Sequence, residues 1–503
     1  MANQRVLCAV LFSLLYASAW LGQGLGLSFT AWVAFVPLFW ALDTPLSTKQ
    51  KIGLALAAMA LAHVLAFSWF LTVADNQSTV WLFSAFECLM AGMPLAIFLL
   101  LRKTTIAASL KTNDWFLLPF IFGLWEWLWH HSGAKMAFFM VGVGNSQVGL
   151  PFFIQWIDIL GVEAVSAWVV LVNVLIYKSL HLEPQSPPSV SWARLAKNLA
   201  WAFTFPIVYG FYQYQHYTNL ENPSKALTLT LFRLDVKPTG RHFNEQLRQD
   251  MGNLERLVHL TDSIVEAERT QERSKSDAFI WYEGAYQQGI GKVDTFVQQV
   301  VNDAQTPILT GATLFNTENK QWDINATVVL SPNKPLSAPS VKQFFVPHWE
   351  DHLQQNRATR LHTIHNKKGV QFNIATPICF EQNVPDFWAN AVRMGAEAFI
   401  HVAYEAWFGN TLGREPQVSN ITALRCMETK RWCARTSNGG ATAIFNPLGQ
   451  RVSDTEGSVL QGQIFKNDVQ TLHVQWPYLG IVVLILGLVM PFKILARKRH
   501  RFK

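Results

Sequence analysis

Eight apolar segments frame this chain and restrict what it can fold into. Seven lie early, at residues 6–21, 27–42, 52–73, 80–101, 115–129, 159–177 and 199–214, and the eighth runs from 478 to 496. A spanning helix needs about 20 residues, with a range of roughly 17–25. Four of the segments are shorter than that, so their existence is better marked than their ends. Only 15% of the 503 residues are charged, where a soluble protein carries about 25%. The expectation is a helical membrane bundle of about eight spans, residues 1–214 and 476–503, interrupted by a domain at 215–475 that reads as ordinary globular sequence.

Loop charge orients the bundle. The loops after the second, fourth and sixth segments carry Lys49 and Lys51; Arg102, Lys103 and Lys111; and Lys178, Arg194 and Lys197. The tail carries Arg497, Lys498, Arg499, Arg501 and Lys503, while the alternate loops are nearly empty apart from Lys135. By the positive-inside rule both termini are cytoplasmic, and seven spans put the middle domain outside. The first segment, with Arg5 ahead of an apolar run, has the look of a signal peptide. Six more such segments follow, so it reads as a retained span. The net charge of +7 sits largely in these loops and the tail, and calls for no nucleic-acid partner. No zinc-type cysteine spacing or Walker-type glycine loop is present, and the five cysteines give no disulfide framework. No metal or soluble cofactor is expected.

Polar residues fall at or near membrane depth: Glu87, Glu126, His130, His131 and Glu163. An acid there is a functional candidate by default. The plainer reading puts Glu126 and the histidines at the outer interface among Trp125, Trp127 and Trp129, in an aromatic belt. Residues 130–158 are apolar, glycine-rich and broken by Pro151. They fit either a re-entrant segment shaping a lipid entrance or a packing loop.

In the middle domain short apolar runs alternate with helix-like stretches. Strands are expected at 226–231, 278–281, 307–311, 324–330, 372–378, 398–403, 432–436 and 442–445, and helices at 243–268, 293–304, 385–394 and 414–429. This alternation implies a layered α/β domain, large enough for one sizeable core. Three polar residues stand at the edges of apolar runs. Glu283 ends one, followed by the small Gly284 and Ala285. Lys342 precedes an aromatic, proline-containing stretch that reaches Trp349 and Glu350. Cys379 ends another, two residues before Glu381. Taken singly, each has a bland reading: a strand-end carboxylate, a solvated lysine, a packed cysteine. Together they make a thiol-nucleophile site. A carboxylate can take the thiol proton, and an ammonium can hold the oxyanion of a tetrahedral intermediate. Glu350 can orient the lysine or the leaving group.

At these residues the sequence resembles the nitrilase superfamily, with its Glu-Lys-Cys triad on an αββα sandwich. Over nearly its whole length it resembles the membrane branch of that superfamily, the apolipoprotein N-acyltransferase family. Trp281-Tyr-Glu283 stands at the family's Trp-Pro-Glu. The stretch from Lys342 to Glu350 stands at its lysine loop, and Ile378-Cys-Phe-Glu381 at Ile-Cys-Tyr-Glu. Ala406-Trp-Phe-Gly409 matches its Trp-Phe-Gly loop. Arg425 to Glu428 matches a helix motif, and Arg435-Thr-Ser-Asn-Gly439 a strand end. Departures gather around the pocket: Tyr282, His348, Trp349, Phe380, Tyr404, Glu405, Gly440 and Ala441.

The resemblance implies catalysis by Glu283, Lys342 and Cys379, with Glu350 and Glu381 in support. Trp407, Phe408, Tyr282 and Trp349 would lie at the substrate pocket, with Trp407 and Phe408 as a lid over it. The reaction implied is transfer of an acyl chain from a membrane phospholipid, through a cysteine thioester, to the N-terminal amine of a diacylglyceryl-cysteine lipoprotein. The setting implied is the bacterial inner membrane, with a periplasmic catalytic domain and a monomer as the default form. The pocket departures keep two alternatives in view: a membrane-anchored nitrilase-like amidase, and an acyltransferase serving a different amine. A non-catalytic scaffold is disfavoured by the intact Glu283, Lys342 and Cys379. Cys426 and Cys433, seven apart, read as core packing.

Overall fold

The computed structural model describes residues 2–73, 77–103, 111–131, 141–181, 189–217, 222–235, 243–287, 291–316, 321–346, 350, 359–408 and 413–500. They form two compact units. One comprises Met1–Gln215, Asn410–Leu424 and Gln475–Lys503, and the other His216–Gly409 and Arg425–Val474.

Helices occupy all eight apolar segments of the first unit: α1 (Ala2–Leu21), α2 (Ala31–Asp43), α3 (Thr48–Ala66), α4 (Gln77–Leu101), α5 (Leu118–His131), α6 (Val162–Ser179), α7 (Trp192–Tyr217) and, after the second unit, Leu479–His500. Four stretches among the described residues are long and apolar enough to cross a membrane alone: Ala2–Leu21, Thr48–Ala66, Val80–Leu101 and Val162–Ser179. The expected run at 52–73 divides, because a 3-10 turn at Ser68–Thr72 follows α3.

Away from water every backbone polar group needs an internal partner. Asn173 on α6 supplies two on α2, one turn before Pro37. Its Nδ2 donates to Ala31 O at 2.8 Å, and its Oδ1 accepts from Phe35 N at 2.9 Å. The side-chain amide thus stands between two groups that would bond each other in a regular helix.

Glu126, His130 and Glu163 are buried, while His131 is half-buried and stacks on Trp127. Glu126 Oε1 accepts from Val143 N at 2.9 Å, His130 Nδ1 lies 3.0 Å from Glu163 Oε1, and Ser166 Oγ accepts from Gly144 N at 2.7 Å. These bonds fix the 3-10 segment Val143–Gly149 against α5 and α6. Gly144 is needed for that approach, since a Cβ there would come within 2.5 Å of Val162 O.

The second unit is an αββα sandwich of two six-stranded sheets. Its strands are β1 (Ala226–Phe232), β2 (Ala278–Gln287), β3 (Ile308–Asn316), β4 (Gln321–Leu330), β5 (Ser340–Val341), β6 (His362–His365), β7 (Gln371–Ala375), β8 (Ala398–Tyr404), β9 (Cys433–Asn438), β10 (Thr442–Phe445), β11 (Arg451–Thr455) and β12 (Val459–Phe465). The sheet orders are β12-β1-β2-β3-β4-β5 and β11-β10-β9-β8-β7-β6. Each sheet has three parallel strands at its centre, β1-β2-β3 and β7-β8-β9, and antiparallel neighbours outside them. Parallel neighbours need long crossovers. These are α8 (Phe243–Arg269), α9 (Gly291–Ala304), α10 (Pro385–Arg393) and α11 (Arg414–Thr429).

The strand period of two sorts the core. On β2, Ala278 and Ile280 join Ile374, Ile400 and Ala434 between the sheets. Phe279 and Trp281 join Leu257, Val258, Val297 and Val301 beneath the helices. The strand expected at 372–378 stops at Ala375 because Pro377 has no N–H to continue the ladder. Four strands escaped the sequence reading: β5, β6, β11 and β12, the last two carrying polar residues at alternate positions.

Glu283 sits where β2 leaves regular pairing. The register to β3 shifts between Trp281 and Tyr286, and Gly284 adopts φ +71°. The neighbouring strand must come very close here. A Cβ on Gly311 would fall on the Glu283 Cα and lie 2.8 Å from Tyr282 O. Gly311→Ala is therefore expected to destabilise the protein by ~1–3 kcal/mol, the range for overpacking. Thermal unfolding of the full chain in detergent measures it, and an unchanged midpoint would contradict the close approach.

Candidate active site

The site is assembled around one buried cation. Lys342 follows β5 directly, and its N–H donates to Asn325 O on β4 at 2.9 Å. Its side chain is fully buried, and Nζ lies 3.1 Å from Glu283 Oε1 and 2.6 Å from Glu350 Oε1. The lysine thus stands between two carboxylates that would otherwise repel each other. Burial opposes its charge, but Glu283 and Glu350 outweigh it and hold the ammonium above the ordinary lysine range. Glu350 also ties down its own loop, with Oε2 accepting from Val346 N at 2.7 Å. Glu283 has a second donor, Asn325 Nδ2, at 2.7 Å.

Cys379 opens a 3-10 turn, Cys379–Asn383, beyond the end of β7. Its φ is +46°, in the left-handed region that non-glycine residues rarely occupy. Such strain persists only where the surroundings over-determine it, and here several bonds do so. His401 on β8 approaches the Cys379 carbonyl through Nε2 at 3.2 Å. A carbonyl can only accept, so Nε2 carries the proton. Burial first, and the Arg435 cation second, push His401 well below the ordinary histidine range, so the ring is neutral. Ile378 forms an isolated parallel bridge to Val402.

Glu381 clamps the turn from the other side. Its Oε2 accepts from Ile378 N at 2.8 Å, and its Oε1 from Gln343 N at 2.5 Å and Phe344 N at 3.3 Å. One carboxylate thereby joins the cysteine turn to the lysine loop.

The Cys379 thiol is pushed well above its ordinary pKa, mainly by burial and then by Glu283, with Lys342 acting the other way and Glu350 and Glu405 adding to the rise. At rest it is a thiol. Among the described residues it donates to Tyr404 O, at 4.0 Å. Such a group becomes a nucleophile only by passing its proton to a neighbouring base as it attacks. Glu283 is close enough to raise the thiol electrostatically and is itself held by Lys342.

The structure thus gathers Glu283, Lys342, Glu350, Cys379 and Glu381 in one place. Phe408 is half-buried in the turn Ala406–Phe408, with its N–H donating to Glu405 O at 3.1 Å. Trp407 belongs to the same turn. Tyr282 is buried in the cluster that also holds Trp281, Tyr286 and Val341. Trp349 lies outside the described residues. Sequence reasoning missed Asn325 and His401, although His401 stands inside the apolar run 398–403 and so needed a buried partner.

Two family models match this chain. The apolipoprotein N-acyltransferase N-terminal domain covers residues 9–175, and carbon-nitrogen hydrolase covers 276–473. The chain belongs to the apolipoprotein N-acyltransferase family. It is similar to the apolipoprotein N-acyltransferase of Chlorobaculum tepidum, at 25% identity over 94% of this chain and 92% of that one. It is also similar to apolipoprotein N-acyltransferase 2 of Treponema denticola, at 22% identity over 74% of this chain and 78% of that one. A shorter match, 30% identical over 26% of this chain and 25% of the relative, links it to the enzyme of Azotobacter vinelandii. The first matched stretch falls within the helical unit, and the second within the sandwich unit apart from Asn410–Leu424.

Glu381 yields a test. Burial, only partly offset by its backbone donors, raises its pKa from the ordinary 4.5 to about 7. A carboxyl raised on folding stabilises fully below about 4.5, and that contribution fades as pH rises through about 7. In Glu381→Gln one accepting oxygen becomes an NH2 that meets a backbone N–H. The variant is expected to lose ~1–3 kcal/mol. Its deficit should be widest near pH 4.5 and narrow toward 7, as read by thermal unfolding at stepped pH.

Proposed function

We propose that this chain transfers an acyl chain from a membrane phospholipid to the N-terminal amine of a diacylglyceryl-cysteine lipoprotein, through a thioester on Cys379. The observation that carries the reading is the buried Lys342 ammonium shared by Glu283 and Glu350 beside the thiol, in a chain of this family. The apolar helices supply the reason for a lipid donor. In this reading the middle domain at 215–475 is periplasmic, both termini are cytoplasmic, and the membrane is the bacterial inner membrane.

The chemistry runs in two half-reactions. Glu283 takes the proton of Cys379 as Sγ attacks the ester carbonyl carbon, and Lys342 holds the oxyanion that forms. Collapse breaks the ester C–O bond. Glu283 returns the proton to the leaving oxygen, and lysophospholipid departs. The acceptor amine then attacks the thioester carbon and gives a proton to Glu283. The C–S bond breaks, the thiol recovers its proton, and the product is an amide. Glu350 keeps the lysine aimed, and Glu381 keeps the cysteine turn against it. Trp407 and Phe408, in the turn after β8, close over the acyl chain. The fixed charges act in a dry interior, where they are worth more than in water.

Intact-mass analysis of the full chain, incubated with phospholipid vesicles, tests the first half. A hydroxylamine-labile adduct of acyl mass is expected on the wild type and absent from Cys379→Ala. Glu283→Gln should slow its formation by about 10²–10⁴-fold, the usual worth of a general base. Adding a diacylated lipopeptide should discharge the adduct with acylation of the peptide amine. Discharge to free fatty acid alone would favour an amidase-like hydrolase. Folded protein with no adduct would overturn the reading.

A further inference from the structure

Behind the cysteine lies a second buried ion pair that the reaction scheme leaves unused. Glu405 follows β8, and its N–H donates to Asn438 O at the end of β9 at 2.8 Å. Its Oε1 pairs with Arg435 Nη2, and Arg435 Nη1 donates to Ala441 O. Glu405 is 2% exposed and Arg435 0%. The wall that Glu405 terminates is the one against which the nucleophile rests. Tyr404 offers its carbonyl to Cys379 Sγ, and His401, on the same strand, lies against the Cys379 carbonyl.

Gly440 belongs to this arrangement. The preceding Gly439 has φ +70°, which explains a glycine by backbone conformation, but no such reason applies to Gly440. What applies is space. A Cβ on Gly440 would overlap Glu405 Oε2 and lie 2.7 Å from Ser437 Oγ and 2.8 Å from Glu405 Cδ. A carboxylate at the end of a flexible side chain ordinarily swings clear of such a clash. This one is buried and held by Arg435, so it has nowhere to go.

We propose that Glu405, through its ion pair with Arg435, is a positioning residue for Cys379, and that Gly440 lacks a side chain to make room for the Glu405 carboxylate. Its role in acyl transfer rests on the function proposed above; its action on the thiol does not. The pair fixes the chain end carrying the Tyr404 carbonyl, and so the resting direction of the thiol. It also sets a fixed anion behind the sulfur, which helps keep Cys379 protonated until Glu283 takes the proton.

The test follows alkylation of Cys379 by iodoacetamide as a function of pH in the full chain in detergent. Mass-mapped peptides separate Cys379 from Cys8, Cys88, Cys426 and Cys433. Glu405→Gln removes the anion and keeps the size, so the midpoint of the alkylation profile should move to lower pH. A purely structural role would change the rate and leave the midpoint alone. Gly440→Ala pushes the carboxylate off Arg435 and should slow both alkylation and acyl-adduct formation by more than tenfold. Adding Glu405→Asp to Gly440→Ala withdraws the carboxylate by one methylene and should restore both toward wild type. If Gly440→Ala fails to fold, recovery of folded, alkylating protein in the double variant reads the same rescue. An unmoved midpoint in Glu405→Gln, or a double variant no better than Gly440→Ala, overturns the proposal. If the alkylation results hold while wild type forms no acyl adduct, the positioning role stands and the acyl-transfer reading falls.

Discussion

A lysine ammonium with no access to water organises the sandwich unit. Removing such a charge from solvent costs several kcal/mol, and only close anions and good geometry offset it. Lys342 has two, Glu283 and Glu350, and both are tied to structure of their own. Glu283 closes β2 and is held by Asn325 from β4, while Glu350 closes the loop that begins at Lys342 itself. The cation therefore draws the end of one strand, the middle of another and a loop into a single cluster. Taking one carboxylate away would leave a buried charge short of a partner, a change worth ~3–5 kcal/mol in comparable pairs. The machinery and the local fold are thus hard to separate here.

The cysteine turn is built on the opposite principle. Its own conformation is unfavourable, with Cys379 at positive φ, and it is kept there by neighbours on three sides. Glu381 holds it to the lysine loop, His401 lies against its carbonyl, and the Ile378 bridge joins it to β8. Pro377 ends β7 just before the turn and so frees the chain to make it. Strain at Cys379 and over-determination around it belong together. A looser surround would let the turn relax and move the sulfur.

The layered architecture was legible because the strands of the sandwich obey simple rules. Their centres are buried on both faces and read as apolar runs, and the helices between parallel strands are long enough to show. Glu283, Lys342, Glu350, Cys379 and Glu381 were legible for a related reason, since each stands at the edge of such a run. Other parts were hidden. β11 and β12 carry polar side chains such as Gln461 and Gln463 at alternate positions, so they read as loop. The partners of Glu126 and His130 were hidden because Val143 N and Glu163 lie on other segments of the chain. Tyr282, which stands where the motif has proline, shares the helix-side cluster with its neighbour Trp281, because β2 leaves its regular register after Trp281.

Asn325, His401 and Arg435 are polar residues on strands of the sandwich. His401 stands among Phe399, Ile400, Val402 and Ala403, whereas Asn325 has Thr327 and Arg435 has Ser437 on its own face. A strand covered on both faces cannot turn a polar side chain to water. Its atoms must then be satisfied by other buried atoms. In a domain of two stacked sheets few such atoms lie in the core, so they gather where strand ends and loops meet. Asn325 finds Glu283, His401 lies on the Cys379 carbonyl, and Arg435 finds Glu405. The same reasoning covers Thr327, one strand period from Asn325, whose hydroxyl meets Thr376 and His362 just before the cysteine turn. A polar residue inside a doubly buried strand thus points to its partner, and here each partner lies in or next to the site.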